Sequence, residues 1–413
     1  MVLLAPMVAC RPDATPPAPS AEPLRATPAS APPASPSASA NSPAPVRTHE
    51  PGTVPALPVR KQAAAAAPAA APTFTRLPAA KSRKPREKID QVSFAGKGTL
   101  VALSSASGIE FVDAVTGAGF MVNQASVEAF AFSADESLLA VSAGGQVTLW
   151  DVAKGAVRHT WPGGGANLVF SADGTKLARA GESLLAVHDT ATGKEIMRST
   201  PDFNPFGLAF GANGKELVVT GNNIQVAVLS LDTGSPLPGG GGADTGATFG
   251  IALSPDGRWA AAGSPAGHGM EVFDVHAWAP RRIVVVPEGA CREHVSPAFS
   301  PNGKFVFAYG GQRWIKGFEA GSWKPYASYH APPGRDIASA AADLSRVVVT
   351  REDGRGAVVV NVSNNAETSL ERAFEDSPAY AMSADGLHVA GIAGGAARLW
   401  SARTGKVEYE EQP

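Results

Sequence analysis

The chain has 413 residues, of which 44% are hydrophobic and 17% charged, and its formal net charge is -2. A balance this close to neutral gives no electrostatic reason to expect nucleic acid or an anionic membrane surface as a partner. With only two cysteines a disulfide framework is excluded, and the absence of any run of about 18 apolar residues speaks against a spanning helix.

The first ten residues, MVLLAPMVAC, form a short apolar run that ends in a cysteine. Small residues precede Cys10 and Pro-rich sequence follows it, so the segment resembles the end of a bacterial lipoprotein signal, in which this cysteine is acylated. No Lys or Arg precedes the run, which a start further upstream would explain. The resemblance implies a lipid anchor at Cys10 in a bacterial cell envelope; the alternative is an incidental cysteine in a cytoplasmic scaffold.

Residues 11–87 are dominated by Pro, Ala and Ser, and 19 of the 35 prolines lie within the first 87 residues. Proline interrupts helices and sheet ladders, while Ala and Ser bury too little apolar surface to offset chain entropy. This composition predicts a disordered, semi-extended linker. It ends in the basic run KSRKPREK (81–88), which is interpreted as a solvated boundary.

From Lys88 to the end, the sequence repeats. A turn motif recurs in variants such as FSADGT (170–175), LSPDGR (253–258) and MSADGL (382–387). A second landmark follows each copy and ends at positions 113, 151, 189, 230, 274, 319, 361 and 401, at intervals of 38 to 45 residues. Within each unit, four short runs alternate apolar and polar residues between turn signals. Four strands in about 40 residues, repeated without a helix, are typical of a β-propeller blade.

The predicted fold class is therefore all-β: residues 88–413 form a β-propeller of eight four-stranded blades, with seven blades as the alternative. A single blade leaves two apolar faces uncovered, and its neighbours in the ring cover them. The segment KVEYEE (406–411) can supply the last outer strand of its own blade. Ring closure would then be a simple contact between blades, unless TFTRLP (73–78) adds a strand across the seam.

The repeats resemble the WD40 and WD40-like propeller family over about 326 of the 413 residues, most clearly at Trp150-Asp151. The Gly-His pair that opens family repeats is missing throughout. Only Trp150 and Trp400 keep the tryptophan of the second landmark, and the equivalent positions are Val112, His188, Leu229, Phe273, Phe318 and Val360. Because any large apolar side chain can fill the volume between blades, we expect the fold to tolerate this drift. The resemblance implies a protein-interaction scaffold.

Three short motifs favour a structural interpretation over a chemical one. Asp256-Gly257 and its copies suit a hairpin with a positive φ at Gly, whereas a calcium loop needs several oxygen ligands in a run. Asp-Thr-Gly occurs at 232–234 and 244–246, but the first copy aligns with hairpin turns of other blades. Cys291 and His294, in CREH, supply only two metal ligands. No metal and no cofactor is predicted.

One half of the predicted ring carries charged loops. On a propeller, the turns between second and third strands share a face with the connections between blades, and this face commonly binds partners. The loops SSASG, SAGGQ and PGGGA of blades 1 to 3 carry no charged residue. In blades 5 to 7 they hold the candidate partner-binding residues His268, Arg292, Glu293, His294, Arg313, His330, Arg335, Asp336, Arg351 and Arg355. A protein or peptide docking arc is the functional interpretation, and solvation of a weakly charged protein is the alternative.

These patterns predict a non-enzymatic, monomeric interaction scaffold that meets a membrane only through its lipid anchor. A propeller hydrolase or lyase with a site in the central channel is the alternative from another class. Such an enzyme needs titratable side chains near the axis, and the inner strands AFAFS, NLVFS and GLAFG supply almost none.

Overall fold

The structure is a computed structural model. It describes residues 72–83, 88–95, 99–181, 184–200, 205–221, 225–237, 251–263, 269–277, 280–284, 295–310, 313–351, 356–373, 379–393 and 395–411. Every regular element in these ranges is a strand, and none of them holds a helix with the length and hydropathy to cross a bilayer. The predicted signal at 1–10 and the predicted linker as far as residue 71 lie outside the described residues.

The strands form eight sheets, each of which is one blade. Two strands precede the first blade: β1 (Thr73–Leu77) and β2 (Ser82–Arg83). Blades 1 and 2 comprise β3 (Ile89–Ala95), β4 (Leu100–Ser105), β5 (Gly108–Asp113), β6 (Gly119–Asn123), β7 (Val127–Phe132), β8 (Leu138–Ala143), β9 (Gln146–Asp151) and β10 (Ala156–Pro162). Blades 3 and 4 comprise β11 (Asn167–Phe170), β12 (Lys176–Gly181), β13 (Leu184–Asp189), β14 (Glu195–Ser199), β15 (Pro205–Phe210), β16 (Glu216–Gly221) and β17 (Gln225–Ser230).

Blades 5 and 6 comprise β18 (Ile251–Leu253), β19 (Trp259–Gly263), β20 (Gly269–Asp274), β21 (Pro280–Val284), β22 (Val295–Phe299), β23 (Phe305–Gly310), β24 (Trp314–Glu319) and β25 (Pro325–His330). Blades 7 and 8 comprise β26 (Arg335–Ala340), β27 (Arg346–Arg351), β28 (Ala357–Asn361), β29 (Glu367–Ser369), β30 (Ala379–Met382), β31 (His388–Ala393), β32 (Ala396–Ser401) and β33 (Val407–Glu411). In blade 4 the described residues supply three strands, and Pro236 bridges Leu229 where a fourth would lie. The predicted eight-bladed, all-β propeller is confirmed.

The recurring Ser-x-Asp-Gly motif closes the hairpin between the first and second strands of a blade. The Ser254 hydroxyl donates to Asp256 Oδ1 (2.5 Å), and that carboxylate accepts the backbone N–H of Arg258 (3.1 Å). Gly257 follows with φ +67°, a conformation that L side chains rarely adopt. The same serine-to-aspartate bond forms at 133–135, 171–173 and 383–385. The turn interpretation of this motif is therefore confirmed.

The first Asp-Thr-Gly motif also forms a turn. The Gly234 N–H donates to the carbonyl of Ser230 at 2.8 Å, and Gly234 has φ +70°. The equivalent glycines Gly117 and Gly193 make the same bond, to Asp113 and Asp189. The copy at 244–246 lies outside the described residues, as do Cys291 and His294.

An apolar cluster fills each of the eight interfaces between blades, including the seam between blades 8 and 1. At the seam, Val101 and Leu103 of blade 1 pack with Leu399 and Tyr409 of blade 8. The residue at the position of the family tryptophan is buried in every blade, as predicted. These residues are Val112, Trp150, His188, Leu229, Phe273, Phe318, Val360 and Trp400. Different side chains therefore fill one recurring volume, which explains why the fold persists while the motif drifts.

His188 is the one titratable member of that set, and its surroundings in blade 3 differ accordingly. Its ring stacks on Trp161 of blade 2, with centroids 4.4 Å apart. Arg179, only 1% exposed, donates from Nε to His188 Nε2 (3.1 Å) and from Nη1 to the carbonyls of Pro162 (2.9 Å) and Gly163. Burial, and secondarily the Arg179 guanidinium, lowers the pKa of His188 to about 4. The imidazole is therefore neutral at pH 7 and serves as an acceptor for a buried cation.

The segment before Lys88 belongs to the propeller, which extends the ring beyond the boundary predicted from composition. Strand β1 pairs antiparallel with β6, from Thr73 opposite Asn123 to Leu77 opposite Gly119. Strand β2 pairs in parallel with β33 of blade 8. Blades 1 and 8 each keep four strands of their own, and the N-terminal segment adds a fifth to both. The optional strand at 73–78 is present, and residues 73–83, here called the clasp, span the seam.

Candidate functional site

The ring has two distinct faces because neighbouring strands in each blade are antiparallel. The turns between second and third strands and the connections between blades lie at one end, here called the upper face. The Ser-x-Asp-Gly hairpins lie at the opposite, lower face. First strands of neighbouring blades contact one another, so they line the central axis.

Two of the predicted partner-binding residues form an ion pair where blades 6 and 7 meet. Arg313 lies just before β24, and its carbonyl accepts the N–H of Ala331 at 2.7 Å. Its Nε lies 3.9 Å from Oδ1 of Asp336, the second residue of β26. The two side chains are 39% and 22% exposed, so each remains accessible from solvent. A pair this exposed contributes about 0–1 kcal/mol to stability.

Arg335 makes a second ion pair within blade 7. Its Nη1 lies 2.5 Å from Oε1 of Glu367 on β29, with side chains 33% and 43% exposed. The pair lies near buried Tyr329, where burial raises the phenol pKa and the Arg335 guanidinium opposes that shift. Glu367 was missed by the sequence reasoning because it begins an outer strand and belongs to none of the charged loops.

The remaining predicted residues fall into two groups. His330 is the exposed last residue of β25, with its backbone opposite Trp314, and Arg351 ends β27 with its backbone opposite Arg335. The structure thus places one set at the upper ends of strands in blades 6 and 7: Arg313, His330, Arg335, Asp336 and Arg351. The other set lies outside the described residues: His268, Arg292, Glu293, His294 and Arg355. Partner binding by either set stays a prediction.

The first strands, which line the central axis, carry few charged side chains among the described residues. Their partly buried apolar residues pack against the clusters between blades: Phe130, Leu168, Leu208, Ala252, Ala298 and Ala338. Among the described residues of these eight strands, four charged side chains occur, and each is at the first or second position: Asp90, Glu128, Arg335 and Asp336. The charged groups therefore mark the upper rim of the channel rather than its interior. The described ranges hold no group of three or more His, Cys, Asp or Glu suited to a metal ion.

The fold and this geometry define a β-propeller with charged residues on its upper face. Those in blades 6 and 7 are here called the charged arc: Arg313, Arg335, Asp336 and Arg351. One solved structure similar to the chain is the β-propeller domain of Cps50 (Swd1) from Myceliophteria thermophila, with a TM-score of 0.49 and 13% sequence identity. The alignment covers 67% of this chain and 96% of that chain. No family model matches the sequence. No curated protein matches it either.

Proposed function

We propose that this chain is a non-catalytic protein-interaction scaffold of the WD40-like type, and that the charged arc on blades 6 and 7 binds a protein or peptide partner. The arrangement of Arg313, Asp336 and Arg335 carries the proposal. These side chains are partly exposed, belong to or adjoin rigid strands, and occur at the boundary between two blades. Arginine on a rigid support is enriched among the residues that dominate binding energy at protein interfaces. The scarcity of charged side chains along the described first strands supports a binding role over channel chemistry.

The double variant Arg313→Glu/Arg335→Glu is expected to lose partner binding by about tenfold or more, because reversing interface charges replaces attraction with repulsion. The measurement compares proteins recovered on the tagged wild-type chain and on the variant, followed by the affinity of the recovered partner for each.

Arg198→Glu is the matched control. Arg198 also forms an exposed ion pair, with Glu195 at 2.6 Å, but it lies on the outer strand of blade 3. A partner held by the arc is recovered with the wild type and with Arg198→Glu, and is lost with the double variant. Equal recovery with all three chains would remove the arc from the proposal.

The lipid anchor is a second proposal, and the sequence around Cys10 supports it. We expect radiolabelled palmitate to be incorporated into the wild-type chain expressed in bacteria, and to be absent from Cys10→Ala. Cys291→Ala is the control, because it removes the other cysteine of the chain and should keep the label. Label that persists in Cys10→Ala would contradict anchoring at this residue.

A further inference from the structure

The clasp holds an aromatic side chain in a pocket between blades 1 and 2. The ring of Phe74 stacks on Phe120, with centroids 4.7 Å apart and planes 14° from parallel, and lies 5.8 Å from the ring of Trp150. Gly155 forms the floor, since a Cβ there would come within 2.7 Å of Phe74 Cδ1. The pocket therefore requires both an aromatic ring on the clasp and a glycine beneath it.

Arg76 makes the second specific contact of the clasp. Its Nη2 donates to the carbonyls of Val152 and Ala153, both at 2.6 Å, in the turn that follows β9. The guanidinium carbon also lies 5.3 Å from the Phe74 ring centroid. Hydrogen bonds from a charged donor are stronger than neutral ones, so these two contacts fix the position of the Arg76 side chain.

These contacts follow the geometry of an extended strand. Residues two apart lie on the same face of a strand, so Phe74 and Arg76 point together toward blade 2 while the backbone pairs with β6. The amide of Asn123 fixes the start of the strand by donating to Thr73 Oγ1 at 3.0 Å. Pairing to a sheet edge gives affinity and alternate side-chain pockets give specificity, which is how strand-addition sites bind peptides. We call this site the clasp groove, formed by Phe120, Asn123, Trp150, Val152, Ala153 and Gly155.

We infer that the clasp groove is a binding site for an extended peptide of a partner protein, with an aromatic residue followed two positions later by arginine. The clasp occupies this site in cis. The inference rests on the proposed scaffold function and gives it a second, separate surface. A segment joined to its own site has an effective concentration of about millimolar, so the clasp restricts the groove to partners that can displace it. The contacts of Phe74 and Arg76 show what an incoming peptide must reproduce.

The test uses the full chain and a fluorescein-labelled peptide with the sequence of residues 72–78, PTFTRLP. The double variant Phe74→Ala/Arg76→Ala weakens the clasp, and fluorescence polarisation should show the peptide binding to it about tenfold more tightly than to the wild type. Peptides with Phe or Arg replaced by Ala should bind at least about tenfold more weakly. Circular dichroism and the melting temperature establish that each variant is folded.

Gly155→Ala, added to the double variant, is the groove-blocking control, because its Cβ would occupy the space of the aromatic ring. Loss of peptide binding in this folded triple variant supports the inference. Equal binding by the triple variant, or no binding by the folded double variant up to about 1 mM peptide, overturns it. A wild-type dimer in sedimentation that Phe74→Ala dissociates would assign the groove to a second copy, and also overturns it. Arg313→Glu/Arg335→Glu should bind the peptide like the wild type, so failure of the charged arc and failure of the groove are distinguishable.

Discussion

A chain that begins at Lys88 should be less stable than a chain that begins at Ala70, with a free energy of unfolding lower by about 3 kcal/mol. This is the typical cost of removing one large side chain from an apolar cluster. Both chains contain β3 to β33, so the difference isolates the segment that holds the clasp. The shorter chain loses the Phe74 ring from the interface of blades 1 and 2, and it loses the two hydrogen bonds of Arg76. For a propeller of this size, thermal unfolding of the shorter chain should show a melting temperature lower by about 4 °C.

The loss should also be local, because the clasp contacts only part of the ring. Amides on the outer edge of β6 lose their partners on β1, and β33 loses its contact with β2. Hydrogen exchange should therefore accelerate in β6 and β33 and stay unchanged at the interface of blades 4 and 5, where Val218 and Val228 pack on Ala260. Equal stability of the two chains, with equal exchange in β6, would contradict a role of the clasp in closing the ring.

The blades could be predicted from the sequence because the features that build them recur. Asp256-Gly257 is ambiguous alone, but its copies at regular intervals identify a hairpin in each blade. The clasp carries no such signal. Thr73–Leu77 alternates like a strand, yet it occurs once, follows Pro-rich sequence and pairs with residues 42 to 50 positions away. Local patterning predicts that a strand exists, whereas the choice of its partner depends on which sheet edges remain open after the ring forms.

The candidate site could be predicted only in outline. Position in the repeat is enough to place Arg313 and Asp336 on one face, because every blade follows the same strand order. It does not reveal that the two side chains pair with each other across the boundary between blades, or that Arg335 pairs with Glu367 from an outer strand. His188 is a similar case. Its place in the repeat predicts burial, but its partner Arg179 belongs to a position that is apolar in most other blades.

Stability should fall in two stages as the pH is lowered, and the first stage reports on His188. The pKa of this side chain is about 4 in the folded ring, against an ordinary value of 6.5. Between these values the unfolded chain binds a proton that the folded chain does not, so each step downward favours unfolding. At about 1.36 kcal/mol for each pKa unit, the full effect approaches 3 kcal/mol near pH 4. Above pH 6.5 the imidazole is neutral in both the folded and the unfolded chain, so His188 no longer makes stability depend on pH.

The second stage belongs to the hairpin aspartates. The Ser133 and Ser171 hydroxyls, together with backbone N–H groups, lower the pKa of Asp135 and Asp173 to about 2. A carboxyl with a lowered pKa stabilises the fold above its ordinary value of 3.8 and loses that contribution as the pH falls toward 2. The two stages therefore occupy separate windows, from pH 6.5 to 4 and from about 4 to 2, and urea unfolding at intervals across both can resolve them.

His188→Phe should abolish the first stage and keep the second. Phenylalanine preserves a ring against Trp161 but cannot bind a proton, so stability should no longer change between pH 6.5 and 4. The same variant leaves Arg179 Nε–H without its acceptor, which should cost about 1–3 kcal/mol at every pH. A lower but flat stability curve in this window therefore separates the lost titration from the lost hydrogen bond. A slope that persists in His188→Phe would assign the pH dependence to another group and would contradict a neutral, buried imidazole between blades 2 and 3.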